Sequence, residues 1–238
     1  MSTKKKLLEA AAGNAGEAVY VDDVFSTYVY KGVYSNTDIV NGIDLSGEGG
    51  LVWTKKRNSI RSHDLSDTER GVTKSLFTSN TDAEGTDFQG LLAFNSNGYR
   101  IGGSSSYNNT NDDYVSWTFR KQPGFFDVVT WTGDGTSNRE ISHNLGSTPG
   151  MVIIKRTDSS SPWTVVHRSL SSISNNYIYL NETSAESTGN VLNGWSSTSF
   201  TIGAYNTLYS NQSGGTYVAY VFAHDAQDFG TDSDEAII

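Results

Sequence analysis

The chain repeats itself, with an offset of about one hundred residues. Phe25 answers to Phe126, Asn36 to Asn138 and Ile39 to Ile141. Gly50-Leu51-Val52-Trp53 answers to Gly150-Met151-Val152-Ile153, and Lys55 to Lys155. Ala83-Glu84 matches Ala185-Glu186, Ile101-Gly102 matches Ile202-Gly203, and Tyr114 to Phe119 matches Tyr217 to Phe222. A period of this length is far too long for a solenoid coil and is the size of a whole domain. The chain therefore reads as two copies of one domain, residues 19–122 and 123–224, with an N-terminal segment 1–18 and an acidic tail 225–238.

Element type follows from the runs between turn residues. Tyr28-Val29-Tyr30, Gly50 to Trp53, Leu91 to Phe94 and Tyr114 to Phe119 are short and rich in β-branched and aromatic residues. Asn41-Gly42, Asn97-Gly98, Asn193-Gly194 and Gly133-Asp134-Gly135 supply the positive-φ positions of tight connections. No long amphipathic helical pattern intervenes, so the expectation is an all-β chain: two tandem antiparallel β-sandwich domains, jelly-roll or lectin-like, with a short N-terminal helix. Lys121-Gln122-Pro123-Gly124 is the joint between copies. Alternation in the run from Tyr114 puts Val115, Trp117 and Phe119 on one face, matched by Val218, Tyr220 and Phe222, which predicts that this bulky side is buried in both copies.

The predicted helix covers residues 3–12, with Leu7, Leu8, Ala11 and Ala12 as its apolar stripe and Gly13 as its stop. Ten residues are too few for a stable isolated helix, and Lys4, Lys5 and Lys6 oppose the helix dipole. The segment is either a frayed terminus or an anchor that orders on a partner. In the second case Lys4, Lys5, Lys6, Leu7 and Leu8 are the docking residues.

Charge and composition narrow the function classes. Net charge is −9, from 17 basic and 26 acidic residues, which argues against nucleic-acid binding through phosphate neutralisation. Thirteen of the 17 bases precede residue 123, and Asp225 to Glu235 carries five acids and no base. The absence of Cys removes disulfides, thiol nucleophiles and Cys-ligated zinc. No apolar run has the length of a membrane span, and no signal peptide is visible, so no membrane insertion is expected.

Motifs for chemistry are few. The four His, at 63, 143, 167 and 224, have no metal-face spacing and read as surface or loop residues. Asp64, Asp67 and Glu69, and Asp112-Asp113, are carboxylate clusters in apparent turns, and they are not kept between the copies. Gly47-Glu48-Gly49-Gly50 and Ser213-Gly214-Gly215 lack a phosphate-loop ending and read as hairpin turns. No catalytic residue, metal ligand or cofactor site is assigned. Trp163 and Trp195, in polar loops, are either stacking platforms for a glycan or plugs at the ends of the sandwiches.

Tyr114 through Val129, His143 through Arg156, Tyr217 through Asp225, and the opening from Ser2 through Asp23 resemble tail-fibre-like virion structural proteins of tailed bacteriophages, notably phages of marine cyanobacteria. The resemblance covers nearly the whole chain. It implies a non-enzymatic role in the virion, in the tail rather than the head, after synthesis in the host cytoplasm. The implied partners are other virion proteins and further copies of the chain, as a trimer or a ring. The alternatives are an adhesin for a host-surface glycan and a capsid decoration protein. An enzyme acting on host polysaccharide is the weakest reading, because no carboxylate pair stands out.

Overall fold

The computed structural model describes residues 19–204 and 209–224. The helix expected over residues 3–12, with Lys4, Lys5, Lys6, Leu7 and Leu8, and the acidic tail lie outside the described residues. The described chain begins with one turn of helix, α1 (Val21–Val24), held by the Tyr20 N–H donating to Asp23 Oδ2 at 3.0 Å. Val24 at its end is buried.

Everything else regular among the described residues is strand. In the first copy, β1 (Phe25–Lys31), β9 (Asp113–Arg120), β3 (Gly50–Lys56), β4 (His63–Asp67), β5 (Lys74–Phe77) and β6 (Gly85–Thr86) form a six-stranded sheet in that order. It faces a three-stranded sheet of β2 (Thr37–Val40), β8 (Gly98–Ile101) and β7 (Leu91–Asn95). In the second copy the same order recurs, with β10 (Phe126–Thr132), β18 (Thr216–Ala223), β12 (Pro149–Arg156), β13 (Thr164–His167), β14 (Asn176–Tyr179) and β15 (Ser187–Thr188). Its smaller sheet is β11 (Glu140–Ser142), β17 (Ser199–Ile202) and β16 (Leu192–Trp195). All pairings are antiparallel. The chain is thus all-β, as expected, with two antiparallel sandwiches in tandem.

The repeat extends to single contacts. Tyr114 stacks on Tyr30 at 5.2 Å, and Tyr217 stacks on Trp131 at 5.3 Å. The Tyr114 hydroxyl accepts from Asn109 N–H and that of Tyr217 from Gln212 N–H, both at 2.9 Å. Gly32 and Gly133 occupy the same tight crossing. A Cβ at either would sit 2.1 Å from a backbone carbonyl oxygen, that of Asn109 or Gln212.

Three cores separate the layers. Ile39, Val52, Leu91, Tyr99, Ile101 and Tyr107 fill the first sandwich. Trp131, Ile141, Val152, Ile154, Phe200 and Val221 fill the second. The third core lies between the two six-stranded sheets, which turn their outer faces toward each other. Leu51, Leu65 and Leu76 on one side meet Phe126, Val128, Ile153, Val165, Val218 and Tyr220 on the other. Each such side chain contributes roughly 1.5–3 kcal/mol when fully buried, so the seam is a core in its own right. The described residues form a stack of four sheets.

This stacking corrects the expected burial of the bulky strand face. In β9 the buried side is Tyr114, Ser116 and Thr118, while Val115, Trp117 and Phe119 are half-exposed. In β18 both sides are buried from Tyr217 to Val221. The seam covers the outer face of the second copy more completely than that of the first, so equivalent residues have different surroundings.

Candidate functional site

Strand β4 supplies the polar residues that organise the seam. Alternation turns Asp64 and Ser66 into the first sandwich and Leu65 and Asp67 toward the second copy. Asp64 and Asp67 are both buried on a strand. This corrects their placement in turns.

Asp67 is the centre of an ionic tie across the seam. Its Oδ2 accepts from Arg70 Nε at 2.6 Å and from the Tyr220 hydroxyl at 2.8 Å. Arg70, whose side chain is 4% exposed, also donates to the Leu65 carbonyl at 2.9 Å, the Tyr220 hydroxyl at 3.3 Å and Glu84 Oε2 at 3.3 Å. Burial works against the guanidinium charge, but Asp67, Tyr220 and Glu84 outweigh it and raise the Arg70 pKa. Burial also pushes the Tyr220 phenol well above its ordinary value.

A second tie lies at the β5–β6 side. The Lys155 ammonium is buried and donates to the Ser161 and Arg156 carbonyls at 2.9 Å and to the Thr81 carbonyl at 3.3 Å. Burial lowers its pKa to about 8. Backbone bonds from Glu84 N–H to the Thr157 carbonyl and from Ser161 N–H to the Thr81 carbonyl, both 2.8 Å, join the two copies further.

Beside these ties the sandwiches leave an open cleft of about 410 Å3. Glu69, Arg70 and Glu84 line one wall; Thr130, Thr132, Thr157 and Thr216 line the other. Glu69 accepts from Lys121 at 2.7 Å, and the Thr157 and Thr216 hydroxyls bond each other at 2.6 Å. Carboxylates, a guanidinium and a row of hydroxyls form a surface suited to a ligand rich in hydroxyl groups. A cleft between domains is also a common place for a ligand site.

Of the stacking candidates, Trp163 is removed by its burial. It is fully enclosed in the seam, donates Nε1–H to the Phe77 carbonyl at 2.9 Å and stacks on Tyr220 at 6.3 Å. It is a plug, though between the domains rather than at a sandwich end. Trp195 is half-exposed on β16, opposite Phe200, and packs against the second core. Trp53 and Trp117 are among the half-exposed aromatics that sequence reasoning passed over as site residues. Trp53 donates to His63 Nδ1 at 2.9 Å, and the His63 ring stacks on Trp117 at 6.4 Å. His143 lies in the loop after β11, as expected, but is buried there, while His63 and His167 stand on strands β4 and β13 instead of in loops.

Among the described residues, no group of three or more His, Asp or Glu is placed to hold a metal ion. No helix among them is long and apolar enough to cross a membrane. A family model described as "Domain of unknown function (DUF7483)" matches residues 21–230, and the chain belongs to that family. The match runs through both sandwiches. No curated protein and no solved structure matches the chain.

Proposed function

We propose that this member of the DUF7483 family is a non-enzymatic structural protein of a bacteriophage virion, a tail or tail-fibre component that joins the particle through its N-terminal segment. The observation that carries this reading is the seam. Two sandwiches share one buried core and a buried ionic tie, which makes a block with fixed spacing instead of two beads on a linker. The passages that resemble tail-fibre-like proteins contain the seam residues Phe119, Phe125, Phe126, Val128 and Ile153. Residues 19–24 lead into the same core through Val24, so a segment preceding them is attached to the rigid part of the molecule. Copies repeated in a trimer or ring would multiply weak contacts by avidity.

Immunogold labelling of purified particles tests this reading and distinguishes head from tail. Absence of the protein from purified particles removes it. Deletion of residues 1–18 is expected to leave the block folded and to abolish incorporation; normal incorporation of the truncated chain removes the anchor.

A second reading, an adhesin for a host-surface glycan, is favoured by the hydroxyl- and carboxylate-lined cleft. A glycan array probed with the full chain and with Glu69→Ala tests it. Binding that the substitution abolishes supports it, and no binding by an oligomeric preparation removes it.

A further inference from the structure

The duplication gives an internal control for every position, and it singles out one face of the first copy. On the outer side of the first six-stranded sheet the register sets Trp117 opposite Trp53, Val115 opposite Lys55, and Lys55 opposite His63. The matching residues of the second copy are Tyr220, Ile153, Val218, Lys155 and Trp163, and none of them is more than 5% exposed. A stacked aromatic pair holds the same place in both copies: Trp163 on Tyr220 at 6.3 Å in the second, His63 on Trp117 at 6.4 Å in the first. The seam covers the second pair and leaves the first open. Trp53, Trp117, Val115, Lys55 and His63 are half-exposed, and Val29, next to Val115 on the edge strand β1, is 58% exposed.

The open cluster is rigid and carries polar groups that the fold does not use. Trp53 meets Trp117 edge to face at 6.2 Å and His63 at 5.9 Å. Its Nε1–H donates to His63 Nδ1 at 2.9 Å, so the neutral imidazole carries its proton on Nε2, where no group of the described residues accepts it. Burial and the nearby Lys55 both lower the His63 pKa, which favours that neutral form. Two cations border the rings. Lys55 Nζ donates to the Arg61 carbonyl at 2.7 Å and has no ion pair among the described residues. Arg57 is exposed, follows Lys55 on the same face by strand alternation, and likewise has no ion pair among them. The neighbouring acids are already matched, Asp113 with Lys31 at 3.2 Å and Asp112 with Lys56. In a chain of net charge −9, this is a local positive patch beside an aromatic floor.

We propose that this face binds an acidic glycan: a sugar ring lies on Trp117 and Trp53, a ring hydroxyl accepts from His63 Nε2–H, and a carboxylate or sulfate of the sugar meets Lys55 and Arg57. A sugar ring has an apolar C–H face that covers an indole and a polar rim that needs donors and charges, and the patch offers both. Charge decides against the other occupants. A second copy of the same face would set Lys55 and Arg57 against like charges, which is costly. Single-stranded nucleic acid needs a charged groove along its backbone, and two cations do not make one. None of these residues lines the cleft of Glu69 and Glu84, so the site is separate from it and goes beyond both readings above.

The test is titration calorimetry of the full chain with alginate oligomers, dextran sulfate, neutral dextran and single-stranded oligo(dT). The expected result is that alginate or dextran sulfate binds at least about tenfold tighter than dextran or oligo(dT), and more weakly as salt is raised. Trp117→Ala should weaken that binding by at least about tenfold, as loss of a central aromatic anchor does. Because Trp117 also packs on its neighbours, a second variant changes only an exposed side chain: Arg57→Gln should weaken binding on the order of tenfold and flatten its salt dependence. Phe88→Ala, which removes an exposed aromatic elsewhere, should leave binding unchanged. The proposal is overturned if neither acidic probe binds, or if dextran or oligo(dT) binds as well as they do. Binding that survives Trp117→Ala and Arg57→Gln but not Glu69→Ala would place the glycan in the cleft and overturn it too. So would a dimer in sedimentation that Trp117→Ala dissolves, which would give the face to a second copy.

Discussion

The Tyr220 hydroxyl, from the second copy, donates to Asp67 Oδ2 of the first at 2.8 Å, in a site closed to solvent. The equivalent of Tyr220 is Trp117, which is half-exposed, and the equivalent of Asp67 is His167. The bond therefore belongs to the pairing of the copies and not to the repeated fold.

Replacing Asp67 by Ala should be among the most damaging single changes. It leaves the Arg70 guanidinium buried without its principal counter-charge, a loss of about 3–5 kcal/mol. Tyr220→Phe removes only the phenol oxygen and should cost about 1–2 kcal/mol. Urea denaturation of both single variants and the double variant gives the coupling directly. A double variant equal to the sum of the singles would mean that the two residues do not interact.

Trp163→Ala should open a cavity in the seam while leaving the interior of each sandwich intact. The expected loss is about 3–5 kcal/mol. Because the seam is the shared core, calorimetry should show the single transition separating into two, one for each sandwich. A single transition at an unchanged midpoint would show that the seam contributes little to cohesion.

The fold was legible in the sequence to the extent that it depends on local chemistry. Asn-Gly turns and β-branched runs marked the strands, and the turn glycines Gly42, Gly98, Gly135 and Gly194 do take positive φ. The seam was not legible. Periodicity shows that Val115, Trp117 and Phe119 share a side of β9, but not whether another sheet will cover that side. Trp163 was misplaced for the same reason, since Pro162 and the serines before it read as a surface loop. The polar interior was hidden in another way. Ser116 lies far along the chain from Thr54 and Asp64, and only the strand register brings the three into one row.

The tight crossing shared by both copies offers a matched pair of substitutions. At Gly32 or Gly133, an added Cβ meets a carbonyl oxygen at 2.1 Å, and a backbone atom cannot rotate away. Gly32→Ala and Gly133→Ala should each destabilise by about 1–3 kcal/mol, as overpacking does. Similar shifts in urea midpoint would show that the crossing does the same work in each copy. A neutral result at one site would show that its loop relaxes freely.

The last expectation concerns pH. Burial raises the Asp64 carboxyl from an ordinary value near 3.8 to about 7, with nearby Asp87 pushing in the same direction. The Ser75 hydroxyl bond and the charges of Arg61 and Lys55 oppose the rise. The buried Tyr30 and Tyr107 rings adjoin the carboxylate and have their own pKa values raised, by burial first. In the unfolded chain Asp64 loses its proton near pH 4, while in the fold it keeps it to about pH 7. The folded state therefore binds the extra proton across that window, and stability from this residue falls as pH rises from about 4 through 7. A difference of about three pKa units corresponds to a loss of roughly 4 kcal/mol at most. Asp64→Asn, which stays neutral, should match the parent near pH 4 and exceed it at pH 8 when both are unfolded in urea. If the two proteins instead run parallel from pH 4 to pH 8, Asp64 ionises in the fold as it does in water, and its burial has no energetic consequence.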